Sequence, residues 1–214
     1  DAVHKVHLKP DSRHELWADL IGNMRLAQQA LPLPLSPRCP VEAARTNPAR
    51  ALDLCRAWDA MTDTHQFHGL AKDHGMNRLG AYRVAGAPYV ARLEPEAVAL
   101  ILRQAAEDRV PVMMIFVGNP GCIQIHGGPI EKIVPMGPWI NVMDPRFNLH
   151  LRANRLAEVY AVRKPTRTGD VHSVEAFAAD GELILQIFGF RKDTPAAPWN
   201  ALVAGLPRLE EVAA

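Results

Sequence analysis

Between residues 11 and 30, Leu16, Trp17, Leu20, Ile21 and Met24 recur in a polar background at the three- and four-residue spacing of an amphipathic helix. The proline run within residues 31 to 48, LPLPLSPRCP, removes backbone donors and favours extended chain, so residues 1–47 read as an N-terminal helix and a proline-rich arm. Asn47-Pro48 then combines an N-cap residue with proline at the first helical position. From there Leu54, Trp58, Met61, His65 and His68 recur at steps of four and three. This predicts one helix ending near Gly75, with two histidines continuing its apolar stripe.

A further helix is predicted from Glu94-Pro95 to about Glu107, where Ala97, Val98, Leu100, Ile101 and Leu102 supply apolar surface. The period then shortens. Residues 110 to 190 read as successive strands, VPVMMIFVG, CIQIHG, PIEKIVP, WINVMD, FNLHL, AEVYAVRK, VHSVEAFA and ELILQIFGF, broken by NPG, GG, MGP, DPR, RTGD and ADG. Short turns imply antiparallel neighbours, and a closing helix begins at Pro198 with Trp199, Leu202, Val203 and Leu206. Without βαβ alternation the fold class is α+β. N-terminal helices pack on a large antiparallel meander, and the domain occupies residues 48–214.

Composition changes this picture little. The 214 residues carry 24 Lys and Arg against 23 Asp and Glu, so global charge selects no partner. Cys39, Cys55 and Cys122 are odd in number and lack zinc-ligand spacing, as expected of reduced thiols. No stretch approaches the about 18 consecutive apolar residues of a membrane span. The start DAVHKVHLKP lacks the basic-then-apolar plan of a signal peptide. The expectation is a cytoplasmic protein with no membrane partner.

The chemistry centres on DTHQFH, where His65 and His68 stand three apart with Phe67 between them. Three readings stay open: core or solvated histidines, a zinc site completed by His74, Cys55, His126, His150 or His172, and an axial haem ligand on a face where Trp58, Met61 and Phe67 line the macrocycle. Haem propionates would require cations, for which Arg78, Arg83, Arg163, Lys164 and Arg191 are candidates. GNPGC is a turn rather than a phosphate loop, since no GK[ST] follows. Cys122 near His126 reads as packed in a strand rather than as a nucleophile. The basic run VRKPTR gives weak support to nucleic-acid contact.

The strand segments GNPGCIQIHGGPIEKI, WINVMDPRFNLHLR, VYAVRKPTRTGDVHSVEAF and ILQIFGFRKD, in that order, together with DTHQFH, resemble the HemS/ShuS/PhuS family of cytoplasmic haemin-trafficking and haemin-degrading proteins, most closely its PhuS branch. The resemblance spans most of residues 48 to 193 and corresponds to the second half of a two-repeat protein. It implies haem b bound through His65, with His68 as an alternative ligand and Arg78, Lys164, Gln186, Phe188 and Arg191 around the haem and its propionates. Phe188 stands where relatives can have tyrosine, and Gly127 where a threonine is expected after IQIH. The first half of such proteins supplies an arginine on the distal side of the haem. The implied function is sequestration of imported haem and its transfer to a haem oxygenase. The alternatives are a haem-degrading enzyme using oxygen and an external reductant, and a haem-responsive nucleic-acid regulator. Oligomeric state stays open between monomer and homodimer.

Overall fold

The computed structural model describes residues 6–28, 37, 39–108, 113–189 and 197–209. The chain divides into two units, Asp1–Pro40 with Asn119–Cys122, and Val41–Gly118 with Ile123–Ala214. In the first unit the predicted amphipathic segment forms α1 (His14–Met24). Leu16, Leu20, Ile21 and Met24 remain 42–71% exposed, and α1 buries none of its residues. Residues 31–36 of the proline run lie outside the described residues.

The single helix predicted over 48–75 is corrected. A 3-10 turn (Pro48–Arg50) leads into α2 (Ala51–Asp59), the chain then leaves the helix, and α3 (Gln66–Asp73) begins afresh. Short polar side chains explain the break, because they offer the backbone bonds that compete with the helix ladder. The Gln66 side-chain oxygen accepts from the amides of Thr62 (2.8 Å) and Asp63 (3.1 Å), while Asp63 Oδ1 accepts from the amide of His65 (2.8 Å). Leu54, Trp58 and Met61 are buried as the apolar spacing required, and Phe67, which that spacing left off the stripe, is buried with them, whereas His65 and His68 are exposed.

Two short elements escape the sequence pattern: α4 (Arg78–Ala85) and β1 (Val90–Leu93). Asn77 caps α4 by accepting from Gly80 N (2.9 Å), a start signal followed by too little periodicity to mark a helix. The same side chain holds the segment before α2, accepting from Arg45 N (3.0 Å) and donating to Ala43 O (2.8 Å). The Arg45 carbonyl approaches α4 so closely that a Cβ on Gly80 would lie 1.8 Å from it.

After α5 (Ala97–Glu107) come β2 (Met113–Asn119), β3 (Cys122–Gly128), β4 (Ile133–Met136), β5 (Trp139–Asp144), β6 (Phe147–Arg152), β7 (Glu158–Lys164), β8 (Val171–Phe177), β9 (Leu183–Gly189) and α6 (Ala197–Ala204). The expected antiparallel pairs and the closing helix are present, and the class is α+β. The strands divide between two sheets, however, one ordered β1-β7-β8-β9-β2-β3 and one ordered β4-β5-β6. β2 therefore pairs with β9, far away in sequence.

Strand alternation gives the larger sheet two different faces. On one, Ile115, Val159, Val174 and Ile187 pack with Ile101 and Leu102 of α5, Trp199 of α6, and Val142 and Leu149 of the smaller sheet. On the other, Tyr160, Val162 and Phe177 pack with Trp58, Phe67 and Tyr82 from α2 to α4. These helices cover the β1, β7 and β8 side of that face.

Gly80→Ala should therefore force the 41–47 segment off α4, lowering stability by about 1–3 kcal/mol, as overpacking a close contact does. Chemical denaturation of the two proteins measures the difference.

Candidate functional site

The strand registers carry the second face of the larger sheet past its helical cover. One row across the sheet runs Val162, Ser173, Phe188, Met114, and the next runs Tyr160, Glu175, Gln186, Phe116. Their β7 members are buried under the helices, whereas Phe188, Met114, Gln186 and Phe116 are only half-buried and line a cleft of about 710 Å³. Ile123 and Val171 extend its apolar floor, and Phe116 meets Phe188 edge to face with ring centroids 5.1 Å apart. The volume falls within the roughly 300–1,000 Å³ of small-molecule sites.

The turn before α3 and its first residues supply another wall, through Thr64, His65 and His68. The His65 ring is held from outside the cleft lining: Asp63 Oδ1 lies 2.6 Å from His65 Nδ1 and also takes the His65 amide. A carboxylate oxygen can only accept, so in the neutral imidazole Nδ1 carries the proton and Nε2 the lone pair. The backbone and side-chain bonds from His65 hold the Asp63 carboxyl below its ordinary range.

At the inner end lies a buried ion cluster. Glu175 is fully buried and accepts from Lys164 Nζ (2.6 Å), Arg78 Nη1 (2.8 Å) and Ser173 Oγ (2.9 Å). The Tyr82 hydroxyl accepts from Lys164 (3.0 Å) and Arg78 (3.3 Å). Burial alone would push the Glu175 carboxyl up, but Lys164 and Arg78 overcome it and hold it at about 2. Burial draws the Lys164 ammonium below its ordinary range against the pull of Glu175. It raises the Tyr82 phenol, which stays protonated. Two cations against one carboxylate leave positive charge over. Lys164 is 3% exposed and Arg78 29%, so Arg78 is the cation open to a guest.

Six of the residues singled out by resemblance thus line one cleft: His65, His68, Arg78, Lys164, Gln186 and Phe188. Arg191 lies outside the described residues. Trp58, Met61 and Phe67 do not line it, contrary to the stripe reading, because they form the core under α2 and α3. Arg83 is paired with Glu158, and Arg163 with Asp170 (3.1 Å). Neither borders the cleft. With Arg163 engaged and Lys164 buried, VRKPTR presents only Arg167 to solvent, a single exposed cation rather than the basic surface that phosphate contact needs. Among the described residues no group of three or more His, Cys, Asp or Glu could hold a metal ion, which removes the structural support for a zinc site. The sequence reading missed Asp63, whose offset of two from His65 is an Asx-turn signal, and Met114 and Phe116, which only the β2–β9 pairing brings to the cleft.

Glu175→Gln should cost about 3–5 kcal/mol at neutral pH, because it leaves buried Lys164 without its counter-charge. The Glu175 carboxyl sits at about 2 rather than its ordinary 4.5, so its contribution is present above pH 4.5 and lost as pH falls toward 2. Urea unfolding across that range should show a shallower acid dependence in the variant.

With this geometry in place, comparison with known proteins is specific. Residues 75–206 match the Haemin-degrading HemS.ChuX domain. The hemin transport protein HmuS of Yersinia pestis is 37% identical over 193 residues, covering 90% of this chain and 55% of that protein. The crystal structure of holo-PhuS, a heme-binding protein from Pseudomonas aeruginosa, superposes with a TM-score of 0.87 at 42% identity, over 97% of this chain and 60% of that one. The heme degrading enzyme ChuS of Escherichia coli O157:H7 gives 0.79 at 34% identity, over 94% and 58%. The chain spans little more than half the length of the curated relatives it matches. The domain match over residues 75–206, with relatives 37–38% identical over 90% of the chain, places this chain in the family of the haemin-degrading HemS.ChuX domain.

Proposed function

We propose that this chain binds haem b as cargo in the cleft, with His65 Nε2 as the iron ligand, and passes it to a haem oxygenase in the cytoplasm. The observation that carries this reading is the coincidence, in one cleft, of an imidazole with its Nδ1 already engaged and a largely apolar sheet face. An apolar macrocycle suits such a floor, since Met114, Phe116, Ile123, Val171 and Phe188 offer broad contact without unsatisfied polar groups. Arg78 supplies positive charge for a propionate, and Gln186 an amide. Lys164 contributes through the charge it leaves over beside Glu175 rather than as a free side chain. Phe188 presents a ring and no hydroxyl, so this position gives packing only.

Delivery requires a ligand that can be released. His68 lines the same cleft one helical turn from His65, so it can take the iron as a partner docks. Arg191 is assigned to the propionate side by resemblance alone. A second reading, ring opening of the porphyrin with oxygen and an external reductant, is favoured by the likeness to the Escherichia coli heme degrading enzyme. There the same residues would hold and orient the substrate, and the iron would supply the oxygen chemistry.

A haem titration followed by Soret absorbance tests the proposal. The wild-type chain should saturate at one haem per chain, His65→Ala should lose saturation or shift the band, and His68→Ala should keep tight binding. A wild-type spectrum and affinity in His65→Ala would remove His65 as the ligand. With reductant and catalase present, intact haem that transfers to an added haem oxygenase supports delivery. A ring-opened product that persists with catalase supports degradation instead.

A further inference from the structure

We propose that Asp63 is a positioning residue for His65, fixing the imidazole with Nδ1 protonated and presenting an oriented, electron-rich Nε2 to the metal of the guest. This rests on the haem reading above.

The contact is local and doubly determined. A single oxygen, Asp63 Oδ1, takes both the His65 amide (2.8 Å) and the ring Nδ1–H (2.6 Å), so backbone and ring orientation are set by the same atom. Gln66 holds Asp63 in turn, its side-chain oxygen accepting from the Asp63 amide (3.1 Å) and from that of Thr62 (2.8 Å). The turn is tied to the chain after β7 by the Arg167 amide, which donates to Thr62 O (3.1 Å). Thr62, Asp63 and Gln66, with one later backbone group, thus hold the His65 ring in place.

Stability does not account for this arrangement. The pair is 94% and 59% exposed, and exposed ion pairs contribute little to folding. Selectivity does point to a role. Among the described residues, His65 is the one histidine whose ring meets a carboxylate; the rings of His14, His74, His126, His150 and His172 meet neutral oxygens. A carboxylate on the far nitrogen is the arrangement that selects the tautomer of a metal-bound imidazole and raises its basicity. Two consequences are separable. Any acceptor at Oδ1 would orient the ring, but only a charged one would increase electron donation to the metal and favour its oxidised state.

The test uses Asp63→Ala and Asp63→Asn in the full chain, with ferric haem as the probe. Asp63→Ala should weaken haem binding by about 10- to 100-fold, the usual consequence of losing such a partner. It should also lower the iron–histidine stretching frequency in resonance Raman spectra of the ferrous form. Asp63→Asn, whose amide oxygen can still accept both bonds, should recover most of the affinity while leaving the stretch low and the reduction potential raised. Asp63→Ala added to His65→Ala should change nothing further. Wild-type affinity and stretch in Asp63→Ala, or additive losses in the double variant, would overturn the role. If His65→Ala itself binds haem like the wild type, the haem-ligand reading fails; if His65→Ala loses binding and Asp63→Ala does not, only the role of Asp63 fails. Thermal melts of the apo variants establish folding, and should Asp63→Ala not fold, the potential and stretch of Asp63→Asn decide the matter.

Discussion

A carboxylate with no access to water stands at the boundary between the helix-covered and open parts of the larger sheet. Glu175 is ionised only because Lys164 on β7 and Arg78 on α4 reach it. That requirement ties α4 to β8 and fixes where the helical cover ends. Ser173 and Tyr82 satisfy other polar positions of the cluster, so it is hydrogen-bonded in full rather than a bare pair. Buried charge of this kind adds little net stability, but it specifies one arrangement of helix on sheet.

The cleft follows from that arrangement. α2, α3 and α4 are enough to cover β1, β7 and β8, and the same face continues over β9, β2 and β3 without them. Two properties of the site have the same origin: its floor is apolar because it is a continuation of a core face, and its inner end is positive because two cations share one acid. His65 is the exception, since local bonds rather than strand pairing orient its ring. Its ring is held by residues of the turn that separates α2 from α3 and by the first residue of α3, which sets one ring orientation on an exposed segment.

Strong local patterns were legible. The stripe positions Leu54, Trp58 and Met61 are core, α5 and α6 lie where apolar clusters follow proline, and the strand-and-turn series from Met113 to Gly189 is present. The misreadings have two causes. A helical stripe was extended through Asp63, Thr64 and His65, although these short polar residues bond their own backbone and end the helix there. α4 and β1 are too short to show a period, and their existence depends on Asn77 and on pairing with β7.

The sequence by itself determined the fold class, most strand positions and, through its ordered motifs, the family, because these rest on side-chain alternation and local turn chemistry. It also singled out His65, Arg78, Lys164, Gln186 and Phe188 one by one. Only the tertiary structure decided that they line one cleft, since Gln186 and Phe188 meet Phe116 and Met114 through a strand pairing across about seventy residues of chain. It likewise decided that Lys164 is buried on Glu175 while Arg78 remains open. The charge state of a side chain depends on what surrounds it in space, which no spacing along the chain records.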